Sequence, residues 1–189
     1  MPPRADAARN AELLLAAAKE LFAVRGAEVA LDEIARRAGV GNATLYRHFP
    51  TRSDLIVAVY SDEVDALCRH GTDLLASPHA GEALFAWLDS FVVHIATKRA
   101  LALAVTESPD ERRTRLFEQW HRAITATADQ HLGRAVRAGQ VRPDLAVADL
   151  LALASAAAIA SSGAEDAQRL LRILRDGFAT TKGRRRPAR

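Results

Sequence analysis

The sequence lacks the features that are typical of secreted and membrane proteins. It contains one cysteine, Cys68, in 189 residues, so no disulfide can form within the chain, as is typical of a reducing cytoplasm. Its first residues contain no apolar segment of the kind found in signal peptides. The longest apolar stretch, Leu150 to Ile159, is far shorter than the roughly 20 residues of a membrane span. We therefore expect a cytoplasmic globular protein with no membrane partner.

Glycine and proline are also scarce. The chain has 10 Gly and 7 Pro, whereas alanine, the strongest helix former, is abundant. No stretch alternates in the manner of a strand, and no internal repeat is present. The composition predicts an all-α fold, and the length suffices to bury a substantial core in one or two domains.

A strong overall charge is missing as well. The formal net charge is +3, but residues 182–189 carry five positive charges and no negative one, which leaves −2 for residues 1–181. Bulk charge is therefore no argument for nucleic-acid binding, which must be argued from local sequence. The basic tail, residues 182–189, is predicted to be disordered.

Motifs for catalysis and for metal binding are absent from the sequence. It has no nucleophile elbow, no glycine-rich phosphate loop and no paired carboxylates, so no catalytic residue and no cofactor is predicted. Cys68 and His70 lie two residues apart on a predicted helix and face different sides, and the other histidines show no helical pairing. We predict neither a metal site nor an enzyme.

What the sequence does contain is a pair of short helical patterns within residues 31–55. The first, Leu31 to Ala38, places apolar residues at helical spacing on one face. Gly39 follows it, and glycine readily adopts the left-handed conformation that ends helices. A second pattern opens near Asn42. Two helices joined by a short turn containing glycine predict a helix-turn-helix motif.

The second motif helix has a polar outer face. Leu45 and Phe49, four residues apart, are predicted to fill the angle between the two helices. The outward side chains offer donors and no carboxylate, as a surface that meets phosphates requires. They are Asn42, Ala43, Thr44, Tyr46, Arg47 and His48. A solvated polar face is the alternative, and His48 could simply cover Phe49.

Residues 34–55, IARRAGVGNATLYRHFPTRSDL, resemble the DNA-binding signature of the TetR family of bacterial transcriptional regulators. The most specific part is TLYRHF, followed by a basic residue at Arg52 and by Leu55. The resemblance implies a dimeric repressor whose second motif helix enters the major groove and whose larger C-terminal domain binds a small effector. Its partners would be a double-stranded DNA operator, a second copy of the chain and an unknown small molecule.

The resemblance also implies roles for single residues. Thr44, Tyr46, His48 and Arg52 match positions that hold backbone phosphates in the family. Arg47 and Asn42 face outward and can donate to base edges, so we expect them to read sequence.

Three residues depart from the family pattern. Ala30 stands where Ser or Thr is usual, so the first motif helix lacks a side-chain cap that contributes about 1 kcal/mol. Gly41 stands where Ser is common, and Arg52 where Lys is common. None of the three removes a group that DNA binding needs.

The other helical patterns predict a two-part organisation. A helix from about Arg9 to Arg25 should complete a three-helix N-terminal domain, and a capping box at Thr51–Asp54 should open a long helix to about His70. This long helix would join the helix-turn-helix domain, residues 1–50, to a C-terminal helical bundle for effector binding and dimerisation, residues 51–181. Further helices are predicted at about 82–99, 111–138, 145–162 and 166–180, the second of them after a capping box at Ser108–Glu111.

Two sets of residues in the second part are candidates for binding. Aromatic side chains and histidines on two helices could converge on an effector pocket, although a core position is the commoner use of such residues. They are Trp87, Phe91, His94, Phe117, Trp120 and His121. Stripes of small and large apolar residues on the last two helices predict a four-helix dimer interface, with packing inside the chain as the alternative. They include Leu151, Ala154, Ala158, Leu171, Leu174 and Phe178.

The sequence therefore predicts a dimeric transcriptional repressor that a small molecule releases from a palindromic operator. A regulator that activates, or that has lost its effector response, is one alternative. A helical enzyme or structural binding protein with a vestigial helix-turn-helix is another.

Overall fold

The computed structural model describes residues 4–106 and 111–178, with side chains for residues 6–97 and 114–177. Every regular element in this part of the chain is a helix, which confirms the all-α prediction. The helices are α1 (Arg4–Arg25), α2 (Leu31–Ala38), α3 (Asn42–His48), α4 (Arg52–Leu74), α5 (Ala80–Thr106), α6 (Glu111–Arg137), α7 (Val147–Ala160) and α8 (Ala164–Phe178). None of them has the length and apolar character needed to cross a bilayer, as far as the described residues go.

The described residues form two compact units. The first draws on Met1–Val64 and Thr97–Phe117, and the second on Asp65–Ala96 and Glu118–Arg189. The boundary between Val64 and Asp65 falls inside α4, which continues through it. The compact units therefore differ from the predicted domains, residues 1–50 and 51–181. Those domains were defined by function, and their bounds stay a prediction. The predicted basic tail, residues 182–189, lies outside the described residues.

The first unit is built around the predicted three-helix arrangement. Helix α1 packs against both α2 and α3, and α2 packs against α3. The core between them is apolar and closed to solvent. It includes Leu14, Ala18, Phe22, Ile34, Ala35, Leu45, Phe49, Leu55 and Val59. The N-terminal helix-turn-helix domain is therefore confirmed.

Helix α4 begins as predicted but ends later. At its start, the backbone N–H of Thr51 donates to Asp54 Oδ2 at 3.1 Å, and the N–H of Asp54 donates to Thr51 Oγ1 at 3.1 Å. The predicted break at Gly71 is wrong, because α4 runs on to Leu74. A glycine inside a helix costs only about 1 kcal/mol relative to alanine, so it does not have to end one.

Helix α5 is also longer than predicted. It begins at Ala80 and continues to Thr106, whereas its end was expected near Arg99, before a weakly patterned segment. That segment is rich in alanine and leucine, which favour a helix even where their order shows no helical period. Three residues of the capping box predicted before α6, Ser108, Pro109 and Asp110, lie outside the described residues.

Candidate DNA interface and candidate ligand region

The turn of the helix-turn-helix is set by Gly39. This residue has φ = 67°, its N–H donates to the carbonyl oxygen of Arg36 at 3.2 Å, and the N–H of Val40 donates to that of Ala35 at 3.0 Å. This is the Schellman arrangement, in which a glycine in the left-handed region ends a helix without steric strain. The chain is thereby turned directly into α3.

Helix α3 buries one side and exposes the other. Leu45 and Phe49 are 1% and 8% exposed and fix its inner face against the core. The outward side chains are exposed at Asn42, Ala43, Tyr46 and Arg47, and half-buried at Thr44 and His48. The predicted orientation is thus observed, while contact of these residues with DNA stays a prediction.

Several carboxylates of the first unit are paired with cations or accept hydrogen bonds in a helix cap. Glu33 Oε1 lies 2.5 Å from Arg25 Nη1, and Glu20 Oε2 lies 2.6 Å from Arg37 Nη2. Asp54 accepts hydrogen bonds from Thr51 in the cap of α4. Among the residues with described side chains, Arg47 makes no ion pair. The exposed side of α3 therefore presents an uncompensated positive charge.

His48 lies against Phe49, which is the alternative to a phosphate contact that the sequence left open. Its ring centroid lies 6.2 Å from that of Phe49, with the planes inclined at 44°, so the imidazole does cover the phenyl ring. Its Nε2 atom is buried and makes no hydrogen bond to any residue that the structure describes. A phosphate contact through Nε2 therefore requires the ring to rotate outward.

Arg52 has a structural role that sequence reasoning did not find. Its Nη1 donates to the carbonyl oxygens of Ala27 at 2.7 Å and Val29 at 2.6 Å. The guanidinium group therefore ties the start of α4 to the loop between α1 and α2. Because the two carbonyls lie more than 20 residues away in the chain, no local pattern could have indicated this contact.

The predicted effector residues separate into buried and exposed groups. Trp87 has no exposed surface, and its indole N–H donates to the carbonyl oxygen of Leu67 at 3.3 Å. Its ring stacks on Phe91, with centroids 5.6 Å apart and planes at 15°. His94 and Trp120 are buried too, whereas Phe117 is 46% exposed and His121 is exposed.

The expectation that Phe117 and His121 face inward is wrong. Helical periodicity gives the direction of a side chain, but not whether another element covers it. The second unit also has a groove of about 460 Å³, described below, which is lined by none of the six predicted residues.

His131 is the residue of this region that sequence reasoning missed. It is fully buried, stacks on Trp87 with centroids 6.0 Å apart, and its Nε2–H donates to the carbonyl oxygen of Gly71 at 2.9 Å. Its Nδ1 is buried and has no hydrogen-bond partner in the described part of the chain. Burial lowers the pKa of the imidazole, and the nearby Arg134 and His70 lower it further. Its place in the apolar stripe Ile124, Ala128 and His131 was the available signal.

Most of the residues predicted to form the dimer interface are buried within the single chain. Leu151, Ala154, Ala158 and Leu171 are between 0% and 8% exposed, which leaves them almost no surface for a second subunit. Leu174 is half-buried, and the side chain of Phe178 lies outside the described residues. The exposed apolar residues of α7 and α8 lie on other faces, at Ala152, Leu153, Ala156, Ile159, Ala160 and Ile173.

No cluster of three His, Cys, Asp or Glu side chains suits a metal ion within the described residues. Cys68 is half-buried and belongs to no such cluster among the described side chains. Burial raises the pKa of its thiol.

Comparison with known proteins identifies the family. Residues 14–59 match the family model for bacterial regulatory proteins of the tetR family, and residues 79–180 match the C-terminal domain of SbtR-like transcriptional regulators. The chain belongs to the TetR family. The resemblance noted in residues 34–55 is thereby confirmed, and the protein is a helix-turn-helix transcriptional regulator of a family that binds DNA.

Solved structures of TetR regulators cover nearly the whole chain. A TetR transcription regulatory protein from Mycobacterium vanbaalenii is 39% identical, with 95% of this chain and 100% of that chain aligned at a TM-score of 0.76. A TetR regulator from Streptomyces coelicolor is 35% identical over 90% of this chain and 99% of that chain, also at 0.76. An HTH-type transcriptional regulator of Staphylococcus aureus is 37% identical over 68 residues, which span 35% of this chain and 37% of that relative.

Proposed function

We propose that this TetR-family regulator is a homodimeric repressor that a small-molecule effector releases from a palindromic operator. The observation that carries the proposal is the outer face of α3, which is exposed, free of carboxylates and fixed from behind by Leu45 and Phe49. A short helix with these properties suits insertion into the major groove, where its donors meet phosphates and base edges.

The residues of this face divide into two roles. Thr44 and Tyr46 carry hydroxyls that donate to phosphates, with His48 and Arg52 as further phosphate contacts. Arg47 is exposed and makes no ion pair with a described side chain, so it is the best candidate for a bidentate contact to guanine. Asn42 at the start of α3 suits adenine, and Ala43 allows close approach of the backbone.

The proposed dimer forms through exposed apolar surface on α7 and α8. Leu153, Ile159 and Ile173 are 41%, 52% and 62% exposed, and small alanines lie beside them on α7. Small residues let helices approach closely, and two helices from each subunit make a four-helix isologous interface. The subunit contact is therefore assigned to this face rather than to the buried residues inferred from sequence.

The proposed effector acts at the stack of Phe91, Trp87 and His131. A flat apolar ligand would replace part of the stacking, and a donor on it would satisfy the unpartnered Nδ1 of His131. Trp87 and His131 each hold a backbone carbonyl of α4, at Leu67 and Gly71. A ligand that disturbs this stack therefore acts on the helix whose first residues belong to the DNA-binding unit.

A gel-shift titration against the DNA upstream of the protein's own gene tests the proposal. We expect a specific complex whose log affinity falls linearly with log salt concentration. Arg47→Ala should abolish the preference for this DNA over unrelated DNA, while Arg122→Ala, an exposed arginine of α6, should not. Equal binding to all sequences by the unmodified protein would contradict the proposed function, and would favour a vestigial motif.

A further inference from the structure

Helices α5 and α8 of the second unit enclose a groove of about 460 Å³. Volumes of this size are usual for small-molecule sites. Glu82 and Asp89 line it from α5, and Arg172 and Arg175 line it from α8. One wall is therefore negative and the other positive.

The charged side chains of the two walls do not form direct ion pairs with one another. No ion pair within 4.0 Å joins either carboxylate to either guanidinium group among the described side chains. Favourable interaction with helix ends explains Glu82 in the first turn of α5 and Arg175 in the last turn of α8. It does not explain Asp89 and Arg172, which lie farther from those ends.

Two of the four charged groups are oriented before any ligand arrives. Asp89 Oδ2 accepts a hydrogen bond of 2.5 Å from Gln168 Nε2, and the Arg175 guanidinium lies 4.7 Å from the centroid of the Phe85 ring. Phe85 and Leu171 are 7% and 3% exposed, so the floor of the groove is apolar and closed.

We propose that this groove binds an amphoteric small molecule. Its ammonium group lies against Glu82 and Asp89, its carboxylate lies against Arg172 and Arg175, and its apolar centre lies against Ala86. A purely anionic ligand would face two carboxylates, and a purely cationic one would face two guanidinium groups. Only a ligand with separated charges of both signs satisfies both walls.

The groove is distinct from the two surfaces already assigned. It shares no residue with the stack at Trp87. Successive helix residues turn by about 100°, so Ile173 points roughly 160° away from Arg175 around α8. A subunit contact through Ile173 therefore leaves Arg175 open, while Arg172 is about 100° from Ile173 and lies nearer to that contact.

The first experiment titrates the full chain by calorimetry with 4-(aminomethyl)benzoate, whose amine and carboxylate are separated by a flat ring. Benzylamine and 4-methylbenzoate each lack one charge and serve as matched probes. We expect saturable binding of the amphoteric probe and about tenfold weaker binding of each partial probe. Equal affinity for 4-methylbenzoate, or no saturation up to about 10 mM of any probe, would overturn the proposal.

Variants locate the binding. Glu82→Gln and Arg172→Gln should each weaken the amphoteric probe about three- to fivefold, as expected for partly solvated charges. Arg169→Gln, on the same helix but outside the groove, should leave it unchanged. Unchanged affinity in both groove variants overturns the assignment. A lower sedimentation mass of Arg172→Gln would assign the groove to a subunit contact and overturn it too.

Discussion

At the start of α4, Arg52 has one observed role, in stability, and one proposed role, in DNA binding. Nη1 of Arg52 holds the carbonyl oxygens of Ala27 and Val29, while a phosphate contact requires the positive charge near the surface. Hydrogen bonds from charged donors contribute about 1.5–3 kcal/mol. We expect Arg52→Ala to lower the free energy of unfolding by about 2 kcal/mol and to reduce the salt slope of operator binding by about one unit.

Arg52→Lys separates the two roles. It should keep the salt slope because it keeps the charge, yet lose stability because the shorter lysine side chain does not carry its nitrogen to the position of Nη1. Urea unfolding and binding over a range of salt concentrations measure the two effects. Arg47→Ala is the control for stability. Its free energy of unfolding should stay within about 0.5 kcal/mol of that of the unmodified protein. If Arg52→Ala does not change the salt slope of operator binding, Arg52 contributes only to stability.

His131 makes stability depend on pH. Burial holds the pKa of its imidazole below the unfolded value of about 6.5, with Arg134 and His70 acting in the same direction. The folded state therefore binds fewer protons than the unfolded state in this range. The stabilisation is complete above about pH 6.5 and is lost progressively as the pH falls towards the lowered pKa.

Urea unfolding between pH 7.5 and pH 5 tests this expectation. His131→Gln keeps a donor for the Gly71 carbonyl but cannot take up the proton, so it should lose less stability on acidification than the unmodified protein. His121→Gln, an exposed change on the same helix, should behave like the unmodified protein. Identical pH dependence in all three would show that His131 does not control acid stability.

At the scale of the helix, Gly71 illustrates close packing inside a continuous α4. A Cβ atom at this position would lie 2.4 Å from Thr127 Cγ2 and 2.9 Å from Trp87 Cδ1. Gly71→Ala should therefore lower the free energy of unfolding by about 1–3 kcal/mol, although alanine is the better helix former. Gly133→Ala in α6 meets only the mobile end of Arg137, at 3.2 Å, and should be neutral or stabilising. If urea unfolding shows that both variants raise the free energy of unfolding equally, the packing argument is wrong.

The same helices show what sequence could and could not predict. The turn at Gly39 and the cap at Thr51 depend on neighbours within five residues, so the bounds of the motif were predictable. The end of α4 was not, because the role of Gly71 depends on Thr127 and Trp87, which are distant in sequence.

The proposed binding surfaces also differ in how far the sequence could predict them. The outer face of α3 follows from a short amphipathic pattern and was predicted with its residues. Periodicity also detected the apolar stripes of α7, but Ala154 and Ala158 pack inside the chain while Ile159 faces outward. The choice between core and interface depends on which neighbour covers each stripe, and a single sequence does not contain that information.

For the whole molecule, the proposed dimer contact through the exposed face of α7 and α8 predicts how the oligomeric state responds to mutation. Ile173→Arg places a charge on a side chain that is 62% exposed, so the subunit should still fold while the dimer loses its apolar contact. Sedimentation should then give the 20.4 kDa mass of one chain instead of twice that mass. Val24→Arg, at an even more exposed apolar position on α1, should leave the dimer intact. Leu174→Arg, at a half-buried position, should disturb folding as well.

A dimer of Ile173→Arg with unchanged affinity would place the subunit contact elsewhere. A monomer should also bind its operator far more weakly, because two motif helices joined in a dimer engage two half-sites at a fixed separation. Dimer mass and operator affinity should therefore fall together in this variant.

Effector release is the prediction that depends on the whole chain. Trp87 and His131 hold carbonyl groups of α4 at Leu67 and Gly71, and Arg52 holds its first turn to the α1–α2 loop. In the proposed dimer, a ligand that favours another arrangement of α4 would change the separation of the two motif helices. If it prefers the non-binding arrangement by about 3 kcal/mol, operator affinity falls roughly 150-fold.

Because this coupling is reciprocal, operator DNA must weaken ligand binding by the same factor. In a Trp120→Phe variant, Trp87 is the only tryptophan, so its fluorescence reports ligand binding at the stack. Any ligand that quenches it is titrated with and without saturating operator, and the two dissociation constants should differ by the factor measured for operator release. Equal constants would show that a ligand at Trp87 does not regulate DNA binding, since a ligand with no preference between two arrangements cannot shift their equilibrium however tightly it binds.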